Sequence, residues 1–205
     1  EEQDLPPESR EYASALEHQA EKLRFLIDAL VKTSRLESGV LAMTPKRHGI
    51  QQLLDAASAQ AAPGAEAKAI TLTVEPTDLT ARFDPKWTAE ALYNLVDNAV
   101  KYTPAGGAVT LRAVGYELFC RVDVTDTGPG IPEEEQAQIF SRFYRGAAVR
   151  EQEGLGLGIQ NTIERLELLY GHNAGLSFCN APKGGAQVDI FLPEARSRRD
   201  AKKMS

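Results

Sequence analysis

Residues 123–132 have the sequence DVTDTGPGIP, in which an apolar run ends on Asp126 and a glycine-rich segment follows. A half-buried strand is predicted here from the alternating apolar residues before it, Leu118, Cys120, Val122 and Val124. Asp-Thr-Gly-Pro-Gly is also favourable turn chemistry, so a tight turn alone would explain these residues. The alternative is that Asp126 presents a carboxylate to a ligand, and the rest of the chain must distinguish the two.

Strands and helices around this stretch are grouped without regular strand–helix alternation. Alternation or helical periodicity predicts strands at 70–74, 81–83, 109–113, 176–178 and 188–192, and helices at 50–62, 84–102 and 154–170. Asp84 and Pro85 supply an N-cap and a proline at the first helical position. The grouping predicts an α+β fold, a two-layer α/β sandwich with a mixed sheet and helices on one face.

Residues 8–38 predict one long, coiled-coil-like helix before this sandwich. Its apolar seam follows heptad spacing through Leu16, Ala20, Leu23, Ile27, Leu30 and Ser34. One amphipathic helix cannot bury such a seam alone, so a partner helix is expected in the same chain or in a second copy. We therefore predict a partial helical segment with its connector at 1–44, a globular domain at 45–195 and a disordered basic tail at 196–205. Pro45 to Gly49, at the start of that domain, are expected to form a connector before the first helix.

Composition excludes several classes of function. The net charge is −6 and no basic stripe with interleaved aromatic residues occurs, which disfavours nucleic-acid binding. Cys120 and Cys179 lack zinc-ligand spacing and are predicted to be core residues in a reducing compartment. No apolar run is long enough to span a membrane. The chain begins without Met or a signal peptide, so we expect a piece of a longer protein.

The predicted helix over KWTAEALYNLVDNAVKYTP, residues 86–104, carries polar residues in line on one face. Asn94, Asn98 and Lys101 are spaced by four and three. Two carboxamides in line suit a hard cation such as Mg²⁺ beside phosphate oxygens, and a lysine one turn later can meet a phosphate. A solvated helix face would explain the same residues.

Glycines open the last predicted helix, in GLGLGI at residues 154–159. Free amides at a helix N-terminus attract phosphate, and glycine lets the backbone approach a ligand closely. Such a string alone is a weak signal. No strand precedes it, as a dinucleotide-binding fold requires, and no P-loop motif occurs in the chain.

An aromatic cluster interrupts the polar stretch between Thr127 and Glu153, in FSRFYR at residues 140–145. These side chains would anchor a long loop to the core. They would equally suit a movable lid that is anchored to the core at one end, with Arg142 or Arg145 near the phosphates of a bound ligand.

Taken in this order, the motifs resemble the catalytic and ATP-binding domain of bacterial sensor histidine kinases. That domain belongs to a wider group with gyrase, a heat-shock chaperone and mismatch-repair ATPases. NLVDNAVKYTP resembles its N box, DTGPGI its first glycine box, FSRFYR its F box and GLGLGI its second glycine box. The resemblance covers roughly residues 50–193. LIDALVKTSRLESG, residues 26–39, resembles the second helix of the dimerisation and phosphotransfer hairpin.

The resemblance implies a role for each matching position. Asp126 would accept the exocyclic amine of adenine, with Gly128 and Gly130 passing close to the base. Asn94 and Asn98 would hold Mg²⁺ and the phosphates of ATP. Lys101 would meet a phosphate, and Tyr102 would cover the adenine. The other residues implied in ATP binding are Ile131, Phe140, Arg142, Arg145, Gly154, Leu155, Gly156 and Leu157.

The implied function is a protein-histidine kinase of a two-component system. The γ-phosphoryl group of ATP would pass to a histidine and then to the aspartate of a response-regulator receiver domain. The full protein would form a homodimer through the N-terminal helix. The chain would be the cytoplasmic portion of a bacterial membrane sensor whose membrane segments lie elsewhere. In the ATPase relatives a glutamate that activates water stands at the Asn94 position, so rapid hydrolysis is not expected here.

Some positions depart from the family's pattern. None of His18, His48 and His172 matches the family's phosphoacceptor, so the chain alone is expected not to autophosphorylate. Gln152 replaces a usual glycine and Ala186 a usual threonine. The alternative functions are a non-catalytic, nucleotide-gated interaction module, an anti-sigma-type serine kinase and a free-standing ATPase.

Overall fold

The computed structural model describes residues 45–139, 175–182, 184–193 and 196–197, together with the isolated helical residues Ser9, Tyr12, Leu16, Ala20, Ile27, Thr162 and Leu166. The chain divides into two compact units, Glu1–Ala42 and Met43–Ser205. In the first unit, Leu16 and Ile27 of the predicted seam are helical and 70% and 54% exposed. The remainder of the predicted helix lies outside the described residues.

A five-stranded mixed sheet forms the centre of the second unit. Its strands are β2 (Thr71–Val74), β4 (Ala108–Gly115), β5 (Phe119–Asp126), β6 (Gly175–Asn180) and β7 (Ala186–Pro193). They lie in the order β2-β4-β5-β7-β6, with β2 parallel to β4 and the other pairs antiparallel. All five strands were predicted from alternation.

A smaller sheet corrects two predictions. It has the order β1-β3-β8 and consists of β1 (Lys46–Gly49), β3 (Leu79–Phe83) and β8 (Arg196–Ser197). The segment from Pro45 to Gly49 was predicted to be a connector, but most of it pairs with β3. The tail was predicted to be disordered from residue 196, but its first two residues also pair with β3. Neither strand alternates apolar and polar residues, so only their pairing with β3 reveals them.

The helices in the continuously described segments are α1 (Ile50–Ala67), α2 (Pro85–Tyr102) and the short α3 (Glu133–Gln136). Asp84 caps α2 as predicted, because its side chain accepts from the amides of Lys86 and Trp87. Helix α1 was predicted to end at residue 62, which is wrong, since it continues through Pro63. Ala61 and Ala65, on either side of that proline, are buried, so packing holds the helix across a residue that usually ends one.

In the continuously described segments, one face of the five-stranded sheet and helices α1 and α2 enclose the core. Residues from β4, β5 and β7 lie inside it, including Leu111, Val122 and Ile190. Helices α1 and α2 pack on each other and on the strands. The predicted two-layer α/β sandwich is therefore confirmed. No helix within the described residues is long and apolar enough to cross a membrane.

Two side chains near the sheet differ from prediction. Leu118 was assigned to a strand, but it lies in the β4–β5 turn and is 77% exposed. Cys120 is buried as predicted, whereas Cys179 is exposed near the end of the edge strand β6. Alternation alone cannot distinguish the covered face of an edge strand from its open face.

Candidate functional site

Asp126 is the last residue of β5 and is only 8% exposed. Because side chains alternate along a strand, it points to the same side of the sheet as the core residues Val122 and Val124. Its Oδ1 accepts hydrogen bonds from the amide of Gly128 at 2.7 Å and from that of Ala186 at 3.2 Å. Among the described residues, Oδ2 has no donor. The described residues therefore fix the carboxylate through one oxygen.

Burial raises the pKa of the Asp126 carboxyl, and the backbone hydrogen bonds from Gly128 and Ala186 partly oppose that rise. Among the residues that the structure describes, no cationic side chain contributes to the shift. A buried carboxylate without a cationic partner is costly, and a donor supplied by a ligand would offset part of that cost. The electrostatics of Asp126 therefore fit a residue that receives a hydrogen bond from a bound molecule.

The glycines that follow Asp126 allow a close backbone approach. A Cβ added to Gly128 would lie 2.9 Å from Asp126 Oδ1 and 3.1 Å from the carbonyl oxygen of Tyr102. The end of α2 and the DTGPGI turn are therefore in contact. This contact brings together two motifs that the sequence separates by more than 20 residues, as their shared ligand would require.

The turn between β6 and β7 supports Asp126 from the other side and was not predicted as part of the site. Gly185 has a positive φ of 91°, and a Cβ there would overlap the carbonyl oxygen of Asp126. Ala186, the next residue, donates its amide to the Asp126 carboxylate. The Gly184-Gly185 pair is a turn signal in the sequence, but nothing local indicates which residue the turn would contact.

Side chains of the predicted N box lie along α2. Asn94 and Asn98 are half-buried and one helical turn apart. Their carboxamide oxygens are of the ligand type that Mg²⁺ accepts, so the donor chemistry fits the implied ion. Lys101 Nζ lies 5.9 Å from the centre of the Tyr102 ring, so these two side chains are neighbours at the end of α2. Within the described residues, no group of three His, Cys, Asp or Glu side chains forms a metal site.

Lys68 holds the end of α2 and was missed by the sequence analysis. Its ammonium group donates to the carbonyl oxygens of Val100, Lys101 and Thr103 at 2.9, 2.8 and 2.6 Å. These carbonyls lie where a helix leaves its acceptors without intrahelical partners, and a cation there also complements the helix dipole. Lys68 therefore fixes the backbone that carries Lys101 and Tyr102.

Gly130 and Ile131 complete the described part of the first glycine box. Gly130 has a positive φ of 72°. Ile131 forms two hydrogen bonds with the side chain of Asn180, its amide donating to Oδ1 and its carbonyl accepting from Nδ2, both at 2.9 Å. Asn180 was not among the predicted site residues.

The other predicted ligands of ATP lie outside the described residues, namely Phe140, Arg142, Arg145, Gly154, Leu155, Gly156 and Leu157. Gln152, His18 and His172 lie outside them as well. His48 is described and lies in β1, where its ring centre is 5.4 Å from that of Phe83. The described part of the site therefore consists of the first glycine box and the N box.

Comparison with known proteins agrees with this geometry. Residues 83–196 match the family described as histidine kinase-, DNA gyrase B- and HSP90-like ATPase. Sensor protein kinase PmrB of Pseudomonas aeruginosa is 32% identical over 176 residues, which are 86% of this chain and 36% of that protein. Sensor protein CreC of Escherichia coli is 31% identical over 174 residues, 83% of this chain and 35% of that protein.

A solved structure gives the same result at the level of the fold. Full-length ShkA in complex with AMPPNP matches with a TM-score of 0.71 and 25% sequence identity, over 94% of this chain and 41% of that one. The chain spans about a third of the length of PmrB and CreC. The chain belongs to the family of histidine kinase-, DNA gyrase B- and HSP90-like ATPases, and the relatives that it resembles include a sensor protein kinase and a sensor histidine kinase.

Proposed function

We propose that this chain is the ATP-binding catalytic part of a sensor histidine kinase. The observation that carries the proposal is Asp126, a buried carboxylate held through Oδ1 by two backbone amides. Its other oxygen would accept the exocyclic amine of adenine. Because an ionised carboxylate is only an acceptor, it would reject the carbonyl that guanine presents at the same position.

The residues of α2 would bind the phosphate end of the nucleotide. Asn94 and Asn98 would hold Mg²⁺, which neutralises phosphate charge when bound, and Lys101 would meet a phosphate. Tyr102 would cover the adenine. Asn94 is a poor general base, so water would not be activated efficiently and the γ-phosphoryl group would be retained for another acceptor.

The whole protein would transfer that group to a histidine outside this chain. A ring nitrogen of the histidine would form a bond to the γ-phosphorus as the bond to the bridging oxygen breaks, and that oxygen would keep the electron pair and leave with ADP. The phosphoryl group would then pass to an aspartate of a response-regulator receiver domain. In this proposal, residues 1–44 belong to the dimerisation segment of a cytoplasmic kinase core and 45–195 to the catalytic domain.

Calorimetric titration of Mg-ATP and Mg-GTP into the chain and into Asp126→Asn tests the nucleotide site. We expect saturable binding of Mg-ATP and much weaker binding of Mg-GTP. The variant keeps an oxygen for the two backbone amides but loses the charged acceptor, so its affinity for ATP should fall about 10- to 150-fold. Failure of the parent chain to bind Mg-ATP at millimolar concentration would overturn the proposal and favour an interaction module without nucleotide.

A second experiment tests the kinase activity. A separately produced hairpin carrying the family's phosphoacceptor histidine is mixed with this chain and radiolabelled ATP. Acid-labile label should appear on the hairpin and be absent when Asp126→Asn replaces the parent chain at limiting ATP. ATP binding without any transfer to a matched hairpin would favour the non-catalytic, nucleotide-gated module.

A further inference from the structure

The side chain of Asn180 binds both backbone polar groups of Ile131. Its Oδ1 accepts from the Ile131 amide and its Nδ2 donates to the Ile131 carbonyl, each at 2.9 Å. The two residues are 49 positions apart in the sequence. The carboxamide therefore takes the place of a neighbouring strand at a point where the backbone has left the sheet.

Asn180 also lies close to Gly130 of the DTGPGI turn. A Cβ added to Gly130 would lie 3.0 Å from Asn180 Oδ1 and 3.1 Å from the carbonyl oxygen of Gly185. Gly130 also needs its positive φ, which side-chain-bearing residues rarely adopt. The turn is thus shaped to admit the Asn180 carboxamide.

The same β6–β7 turn also holds Asp126. Asn180 is paired in register with Ala186, whose amide donates to Asp126 Oδ1. Backbone hydrogen bonds between Ala181 and Gly185, and between Gly184 and Ala181, close this turn. One compact turn therefore contacts the segment from Asp126 to Ile131 at both ends.

We propose that Asn180 is a positioning residue that holds the DTGPGI turn in the conformation in which Asp126 receives adenine. This inference rests on the proposed nucleotide site. Asn180 would not touch the nucleotide and would act through Ile131 and Gly130. Without the carboxamide, the turn would sample other conformations, and the apparent affinity for nucleotide would fall with the fraction of molecules in the competent one.

ADP titration by calorimetry compares the parent chain with Asn180→Ala, Asn180→Asp and Gln51→Ala. Gln51 is the matched control, because its carboxamide also holds a loop backbone, accepting from the Thr77 amide at 2.8 Å, outside the proposed site. Asn180→Asp keeps the size of the side chain but places an acceptor against the Ile131 carbonyl. Hydrogen exchange at the Ile131 amide, measured without nucleotide, reports directly on the hydrogen bond from that amide to Asn180.

Both Asn180 variants should bind ADP about 3- to 10-fold more weakly than the parent. Asn180→Ala loses two exposed, modest hydrogen bonds, whereas Asn180→Asp loses one of them and places two acceptors against each other. Ile131 exchange should accelerate by a similar factor. Gln51→Ala should keep the parent's ADP affinity, even if its melting temperature falls as far as that of Asn180→Ala.

Unchanged ADP affinity in both Asn180 variants, with a binding-competent parent, would overturn the inference and leave the proposed function standing. Equal losses in Gln51→Ala and Asn180→Ala would also overturn it, because they would indicate a general effect of destabilisation. If neither the parent nor Gln51→Ala binds ADP, the proposed function fails and the role of Asn180 fails with it.

Discussion

Gly185 lies so close to Asp126 that any side chain at residue 185 would overlap the Asp126 carbonyl oxygen. Backbone overlap cannot be relieved by rotating a side chain, so the strand end or the β6–β7 turn would have to move. Either movement would disturb the Ala186 amide, which binds the Asp126 carboxylate. The position of this carboxylate therefore depends on a glycine about 60 residues away in the sequence.

Gly185→Ala should destabilise the fold more than Gly184→Ala does. Both glycines have positive φ, 91° and 93°, but a Cβ on Gly184 would meet nothing within 4 Å. We expect Gly184→Ala to cost about 1–2 kcal/mol from backbone strain alone. Gly185→Ala should cost a further 1–3 kcal/mol or so, because the overlap is added. Urea denaturation of both variants measures the difference, and equal costs would contradict the close approach.

Lys68→Met should destabilise the end of α2. Methionine keeps the apolar stem but loses the ammonium group that binds the carbonyls of Val100, Lys101 and Thr103. We expect a loss of about 1.5–3 kcal/mol in the free energy of unfolding, the usual range for hydrogen bonds to a charged group. Chemical denaturation measures this loss, and amide exchange should accelerate in the last turn of α2.

The control for that variant is Lys46→Met, in which an exposed lysine of β1 loses the same charge. Its free energy of unfolding should change by no more than about 0.5 kcal/mol. Similar losses in Lys46→Met and Lys68→Met would show that the charge, and not the capping geometry, determines the effect.

The elements that the sequence predicted are those whose signals are local. Helix α2 could be predicted because Asp84 and Pro85 mark its start and its apolar face repeats with helical period. The five strands of the large sheet could be predicted because each alternates. Strand β1 could not be predicted, because its residues have no alternation and depend on pairing with β3.

In the candidate site, too, residues with a local sequence signal could be predicted and residues that depend on distant contacts could not. Asp126, Asn94 and Asn98 could be predicted as candidates because they stand in motifs with a recognisable order. Lys68 and Asn180 could not, because each acts on backbone groups 32 to 49 positions away and neither stands in a motif. Side chains that bind distant backbone become visible only when the fold brings the segments together.

Affinity for ADP should depend on pH through Asp126. Burial raises the pKa of its carboxyl, and the ionised form is the better acceptor for adenine. Affinity should therefore be full above the raised pKa and be lost as the pH falls through it, starting at a higher pH than for an exposed aspartate. Calorimetric titrations between pH 8 and about 5 would measure the trend.

Asp126→Asn provides the control for this pH dependence, because it cannot ionise. Titration of the ADP phosphates affects both proteins equally. The dissociation constant of Asp126→Asn divided by that of the parent therefore isolates the ionisation of Asp126. This ratio should fall towards one as the pH falls. A constant ratio across the range would show that ionisation of Asp126 does not determine adenine binding.

A pair of buried carboxylates lies on the sheet face that Asp126 does not share. Asp123 and Asp189 stand opposite each other on β5 and β7 and are 3% and 5% exposed. Arg121 binds both oxygens of Asp123, at 2.6 and 3.0 Å. Asp189 accepts from Ser177 and Gln187 at 3.0 and 2.8 Å. Burial chiefly raises the pKa of Asp123; Arg121 opposes the rise, and the charge of Asp189 adds to it.

Asp189→Asn should stabilise the fold at neutral pH. A raised pKa in the folded state means that stability associated with Asp123 is full below the unfolded pKa and is lost as the pH rises through the folded one. Removing the charge of Asp189, which faces Asp123, should restore part of the lost free energy of unfolding. We expect a gain of roughly 0.2–1 kcal/mol at pH 7.5, the usual interaction energy of a cross-strand side-chain pair. Urea denaturation at pH 7.5 and near pH 4 measures the gain, which should shrink at the lower pH.

Asp55→Asn is the matched control for Asp189→Asn. Asp55 is exposed on α1, so its replacement changes the net charge of −6 by the same single unit without altering the buried pair. Its effect on stability should be smaller and nearly independent of pH. Equal gains from the two variants would assign the effect to net charge. A loss of stability in Asp189→Asn at pH 7.5 would show that its hydrogen bonds with Ser177 and Gln187 outweigh the repulsion from Asp123.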